Sequence, residues 1–443
     1  MEDIKNGAGL FTHQLASLRA MIRAENRNTA FGALRGGILG DAPGLGKTIA
    51  MLALVAHTAG RRPVEPKEFY DSASIDEHWT LMRTNPAFRE SILKAMRPLR
   101  GSPRYDALSL EVEPPYKDDR FPTLASFVRH VHQLMRRSVP QSQLDLFRRN
   151  VIAFKAGLDK RNRRFFSNER GKRLLFERNL IPCSTTIIIV PDALLEHWAE
   201  QMRRHVNLAV LSDFGESHGV VYIDGVGDLA DARFPLNHSK MSLPSAFDLL
   251  SYVIVVVPFS RIQQNFVYAR KRKQGGLIDS ANHASSSSLL QLRWFRIVVD
   301  EGHELGENEV GSDVTRFINE MGAERRWVLS GTPTTGDEDR RGFTARGLDQ
   351  LQRLLFFLRH EKYGTVPGST ERKGIMCKKE QAKSKWAANV KRPFLKKEQQ
   401  GRKELYRVLD EVMVMHKKED IGWSLLFVFD GQFCLYSIVS CSF

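Results

Sequence analysis

The stretch Gly36–Ala50, GGILGDAPGLGKTIA, decides how the rest of the chain is read. Ile38 and Leu39 close a short apolar strand. Asp41 to Gly46 form a loop, and Lys47 and Thr48 open a helix that continues through IAMLALVAH. A loop of this build wraps a phosphate chain with backbone N–H groups, and the helix N-terminus adds a favourable field for negative charge. Gly44 and Gly46 leave room for close approach of the backbone. Lys47 would reach the terminal phosphates of ATP, and the Thr48 hydroxyl would ligate Mg²⁺. The loop departs from the G-x-x-x-x-G-K-[ST] pattern at its first position, where Asp41 stands in place of glycine. On its own the same stretch is also a buried strand and helix joined by a flexible turn.

Working upstream, residues 10–26 read as an amphipathic helix with Leu15, Leu18, Met21 and Ile22 on one face. Gln14 lies on it. A glutamine near a phosphate loop can pair with the N6 and N7 edges of adenine through its donor and its acceptor. By base rate alone Gln14 is a surface residue.

Downstream, residues 61–182 hold no clear strand. Helical segments such as FRESILKAMRPL and LASFVRHVHQLMRRS are broken by Pro-bearing stretches, which predicts a partly disordered helical insertion. Its end is strongly basic, with Lys160, Arg161, Arg163 and Arg164 followed by Phe165 and Phe166. This run reads equally as a surface for a phosphate backbone, as a nuclear import signal, or as a solvated helix face.

Apolar runs then return. TIIIV in residues 185–206 and the run in residues 247–262 are strands of the fully apolar kind found in parallel sheets covered on both faces, and HVNLAVLSDFG suggests another. Leu194, Leu195 and Trp198 form the inward face of a helix. In WFRIVVDEGHELG, residues 294–306, a buried strand delivers Asp300 and Glu301 at its carboxyl end, where ligands bind in a doubly wound sheet. Asp300 would hold Mg²⁺, and Glu301 would orient and deprotonate a water. In RRWVLSGTPTTG, residues 325–336, another strand runs into a hydroxyl-rich turn that can sense a nucleotide by hydrogen bonding.

Composition agrees with a basic, core-forming chain. The 443 residues carry a formal charge of +15 and 42% hydrophobic residues. The charge favours a polyanionic partner, most commonly nucleic acid. Cys183, Cys377, Cys434 and Cys441 form no zinc pattern and fit a reducing compartment. The N-terminus has no signal-peptide character.

Four segments in this order resemble the Swi/Snf-type ATPases of the superfamily 2 helicases. They are HQLASLRAM, DAPGLGKT, VVDEGHEL and RWVLSGTP. Asp41 is normal in that branch, and S-G-T-P separates it from DEAD-box RNA helicases. The segments LQRLLFFLRHEKYG and VKRPFLKKEQQGRKELYRVLDEVMVMHKKEDI resemble the repair translocases with ubiquitin-ligase or F-box modules. The resemblance implies a nuclear, DNA-stimulated ATPase that moves along duplex DNA in chromatin remodelling or repair, with other protein subunits as further partners. It assigns adenine contact to Gln14, phosphate and Mg²⁺ contact to Lys47 and Thr48, and the acidic pair to Asp300 and Glu301. It assigns coupling of hydrolysis to movement to His303, Ser330 and Thr332.

The fold so implied is α/β: a RecA-like P-loop lobe with a parallel sheet, a large helical basic insertion and a helical C-terminal segment. The expected divisions are residues 1–60 for the start of the lobe, 61–182 for the insertion and 183–345 for the rest of the lobe. Residues 346–421 would lead toward a second lobe, and 422–443 form an atypical apolar tail. No motif for the arginine fingers of a second lobe is found in the sequence. The tail is interrupted by Asp430, Gly431 and Gln432, so no membrane partner is expected, and a truncated gene product is the favoured explanation. The rival reading is a catalytically inactive DNA- or protein-binding fragment.

Overall fold

Strands buried on both faces read as unbroken apolar runs, and such runs build the centre of this molecule. The computed structural model describes residues 10–27, 33–59, 180–206, 220–223, 246–249, 252–271, 287–302, 313–331, 343–364 and 378–416, with a few isolated positions and short strand pieces besides. The chain divides into two compact units, one of residues 1–61 with 183–443 and one of residues 62–182. The first is described here. The helical and basic readings of the insertion fall outside the described residues, with Lys160, Arg161, Arg163 and Arg164 among them, and the same holds for His303 and Thr332.

Seven strands form the sheet: β1 (Gly36–Leu39), β2 (Ile181–Val190), β3 (Val220–Tyr222), β4 (Ile254–Pro258), β5 (Leu292–Asp300), β6 (Gly322–Leu329) and β7 (Met413–Val414). Their order is β3-β4-β2-β5-β6-β1-β7. The pairs β3–β4, β4–β2, β5–β6, β6–β1 and β1–β7 are parallel. Every residue of β1, β4 and β5 is buried. The strand suggested at HVNLAVLSDFG lies outside the described residues save its first two. β3 follows a few residues later, where only VVY marks it in the sequence.

Helices α1 (Thr12–Glu25), α2 (Lys47–His57) and α3 (Leu195–His205) share one apolar core with the sheet. In it Leu18 and Met21 meet Leu54, Ile188, Trp198, Met202, Trp327 and Leu329. Helices α4 (Phe259–Lys271), α5 (Asp313–Glu320) and α6 (Ala345–Leu358) pack on one another and on β4 and β6. The C-terminal segment rises through α7 (Lys378–Trp386), a π-turn and a short turn, then returns through α8 (Gln399–Val412) into β7. The sequence reading expected only helix here. Two residues are too short to show strand periodicity, yet Ile38 and Leu39 pair with Met413 and Val414.

Among the described residues no helix is long and apolar enough to cross a membrane.

A buried ionic cluster ties α1 to the sheet. Arg296 of β5 is fully buried and donates through Nε and Nη2 to Glu25 Oε1 and Oε2 at 2.6 and 2.7 Å. It also donates to the Thr186 and Thr58 hydroxyls, each at 3.0 Å. Trp327 Nε1 donates to Glu25 Oε1 at 2.8 Å, and Arg325 Nε lies 3.3 Å from Oε2.

Candidate functional site

Register sets the site. Leu329 of β6 is level with Leu39 of β1 on one side and with Asp300 of β5 on the other. The loops that follow these three strands therefore leave the sheet side by side at its carboxyl edge, where open α/β sheets bind ligands. Gly302 N donates to Leu329 O at 3.1 Å and Ser330 N to Leu39 O at 3.2 Å, which fastens the three exits to one another.

The loop after β1 has the shape its glycines permit. Gly44 and Gly46 have φ of +84° and +78°, a region that L side chains rarely adopt. A Cβ on Gly46 would collide with Gln14 Nε2, whereas the space where a Cβ on Gly44 would stand is open. Gly46 precedes α2, so the free N–H groups of the helix start open onto the same loop. Lys47 folds back and donates through Nζ to the Asp41 carbonyl at 2.8 Å. Thr48 sits beside it, half-buried.

Asp300 ends β5 and is 7% exposed. Its Oδ2 accepts from Trp198 Nε1 at 2.7 Å and its Oδ1 from Glu301 N at 3.0 Å. Burial pushes the Asp300 carboxyl up from its ordinary pKa, against the two hydrogen bonds and the Lys47 charge. Burial likewise lowers the Lys47 ammonium, while Glu301, Asp300 and Asp41 hold it up. Lys47 and the acidic pair, over 250 residues apart in sequence, thus act on each other electrostatically. Glu301 takes a left-handed backbone, φ +48°. Glutamate rarely adopts it, and such strain gathers at functional sites.

The turn after β6 closes on the loop. Ser330 is fully buried. A Cβ on Gly331 would stand 2.8 Å from Pro43 Cδ and 3.4 Å from Lys47 Nζ. The structure therefore brings together Gly44, Gly46, Lys47, Thr48, Asp300, Glu301 and Ser330.

Gln14 belongs to the same neighbourhood but is no surface residue. It is 6% exposed, donates through Nε2 to Leu45 O at 3.4 Å, and accepts through Oε1 from Phe11 N at 3.1 Å. Reading an adenine edge would exchange these two contacts for base contacts. His13 makes a parallel contact, Nε2 to Leu45 O at 3.0 Å.

Sequence reasoning missed two partners. Trp198 looked like an ordinary core residue, and its indole N–H aims at Asp300 across 102 positions. Asp41 was seen only as a departure from a glycine pattern. Its carboxylate is buried against Ser17 and His416.

Comparison with known proteins bears on the whole arrangement. Residues 13–427 match the SNF2-related domain. An F-box protein of Arabidopsis thaliana is 28% identical over 237 residues, covering 53% of this chain and 13% of that protein. The DNA repair protein RAD5A of Arabidopsis thaliana is 25% identical over 248 residues, covering 56% and 18%. The helicase-like transcription factor of Mus musculus is 22% identical over 333 residues, covering 68% and 30%. The chain thus spans less than a third of the length of these relatives. Among solved structures it is similar to the Sulfolobus solfataricus SWI2/SNF2 ATPase core in complex with dsDNA, at 12% identity and a TM-score of 0.43, over 95% of this chain and 48% of that one. With the phosphate loop, the acidic strand end and the S-G-T turn meeting at one sheet edge, and with the family match running through all three, the chain belongs to the SNF2-related domain family.

Proposed function

We propose that this chain is the ATP-binding lobe of a DNA-dependent ATPase acting in DNA repair or chromatin remodelling in the nucleus. One observation carries the reading: Lys47, Asp300, Glu301 and Ser330 meet at the carboxyl edge although four separate strands and loops supply them. The site fits a magnesium nucleotide. It combines left-handed glycines, open space at Gly44, a helix N-terminus, one ammonium and a buried carboxylate. The loop amides and Lys47 would hold the phosphates, and Thr48 and Asp300 would hold Mg²⁺. Bound Mg-ATP supplies a phosphoanhydride whose developing charge the metal neutralises. Glu301 would take the proton of the attacking water on its carboxylate.

The test is titration with a fluorescent ATP analogue. Lys47→Ala is expected to weaken binding at least about tenfold, the value of one charge-assisted contact. Equal affinity in both proteins would sink the assignment. Trp198→Phe supplies a check on the metal end. Without the indole donor the Asp300 carboxyl rises further, so the acid limb of Mg²⁺-dependent binding should move to higher pH in a titration from mildly acid to neutral conditions.

Support for duplex DNA as partner comes from charge. Lys396, Lys397, Arg402 and Lys403 are exposed around the turn into α8, with Glu398 the one carboxylate between positions 391 and 403. Elsewhere exposed cations are paired, as Arg203 is with Glu196 and Glu200, and Arg407 with Glu404. Neutralising these four with glutamine should flatten the slope of log affinity against log salt by about 3, on the basis of one released counterion per phosphate contact. An unchanged slope would remove this surface from the interface.

A further inference from the structure

The loop's one departure from the general glycine pattern has a structural use. Asp41 is 1% exposed and has an ordinary backbone, absent from the positive-φ residues, so glycine is not required for conformation. Its carboxylate instead joins three parts of the chain. Oδ2 accepts from Ser17 Oγ of α1 at 3.1 Å. Oδ1 accepts from His416 N at 2.9 Å and lies 3.3 Å from His416 Nδ1. Nδ1 is also 3.1 Å from Ser17 Oγ. The serine proton is committed to Asp41, so Nδ1 faces only lone pairs and must carry its own proton.

His416 stands two residues beyond β7. β1 and β7 run parallel, and Gly40 N donates to Val414 O at 2.9 Å. The phosphate loop and the segment leaving β7 therefore start abreast at the same edge, and the Asp41 carboxylate clasps one to the other. The same residue receives Lys47 Nζ on its carbonyl, so the clasp also fixes the residue against which the ammonium rests.

We infer that Ser17, Asp41 and His416 form a clasp in which Asp41 is a positioning residue for the phosphate loop, linking nucleotide occupancy to the chain segment after β7. The inference rests on the nucleotide-binding reading and deepens it. A pure phosphate-loop role would make glycine at position 41 harmless, because glycine is what most such loops carry there. The clasp makes glycine damaging. It removes the buried acceptor that holds Ser17 and His416, and leaves their donors without it.

The experiment pairs analogue titration with hydrogen exchange on residues 413–416. Asp41→Gly is expected to weaken binding about tenfold, the scale of lost charge-assisted hydrogen bonds. Asp41→Asn, which keeps an acceptor for His416 N, should retain most of the affinity. In the parent, the analogue should change exchange at 413–416, and in Asp41→Gly that response should vanish. A merely structural contact would lower thermal stability without coupling exchange to nucleotide. Should Asp41→Gly fail to fold, His416→Ala serves with the same two readouts. Binding within twofold of the parent, with exchange at 413–416 indifferent to nucleotide, overturns the clasp. That result leaves the nucleotide site standing when Lys47→Ala still loses binding. A parent that does not bind the analogue overturns the site and the clasp together.

Discussion

Glu25→Ala should destabilise this lobe by about 3–5 kcal/mol, the cost of breaking a buried ion pair from one side. The reason is what remains. Arg296 has no exposed surface, and its guanidinium spends both Nε and Nη2 on the lost carboxylate. Trp327 Nε1 loses its acceptor at the same time, and Arg325 its buried counter-charge. Two hydroxyls, on Thr186 and Thr58, cannot neutralise a charge. Urea unfolding of the single variants and of Glu25→Leu with Arg296→Met separates the causes. The double variant should recover most of the loss, because an apolar pair of similar volume needs no desolvation. If the double variant is as unstable as Glu25→Ala, packing and not charge is the source.

The same cluster gives stability a pH dependence of known sign. Burial pushes the Glu25 carboxyl up, but Arg296 at ion-pair distance prevails and holds it below its ordinary value. A carboxylate lowered by folding contributes stability above its unfolded pKa, and that contribution is lost as pH falls through the folded value. Acid unfolding of the parent should therefore begin below the ordinary glutamate range, and Glu25→Ala should show a shallower acid limb.

How far such features could be read in advance depends on how local their cause is. The phosphate loop, the acidic strand end and the S-G-T turn are each set by neighbours within a few positions, so their residue types and spacing appear in the sequence. The apolar strands β2, β4 and β5 are legible for the same reason. Arg296 is not. It interrupts an apolar strand, and its partner Glu25 lies 271 positions away. A buried arginine and an exposed one look alike until the partner is known. Trp198 and His416 are hidden likewise, since their partners Asp300 and Asp41 stand 102 and 375 positions off. Gln14 misled in the opposite sense. Base rates put glutamine on the surface, and only its contacts with Leu45 and Phe11 explain its burial.

Glu301→Gln is the change expected to act most strongly on turnover with least effect on structure. The substitution keeps the shape of the side chain and its ability to accept a hydrogen bond, and removes only the ability to take up a proton. As the general base for a water, Glu301 is worth about 10²–10⁴ in rate. Affinity for the ATP analogue should stay near the parent value, since loop amides, Lys47, Thr48 and Asp300 are untouched. The backbone supplies a second handle. Glu301 is held at φ +48°, and strain of this kind costs about 1–3 kcal/mol in a residue with a side chain. Glycine adopts that region freely, so Glu301→Gly should be more stable in urea and equally inactive. Gain of stability with loss of turnover would show that the fold carries the strain to place a carboxylate at the sheet edge. Duplex-stimulated ATP turnover of the parent beside both variants reads this directly. Turnover in Glu301→Gln equal to the parent would remove Glu301 from the chemistry. Loss of analogue binding in the same variant would make it a structural residue and not a base.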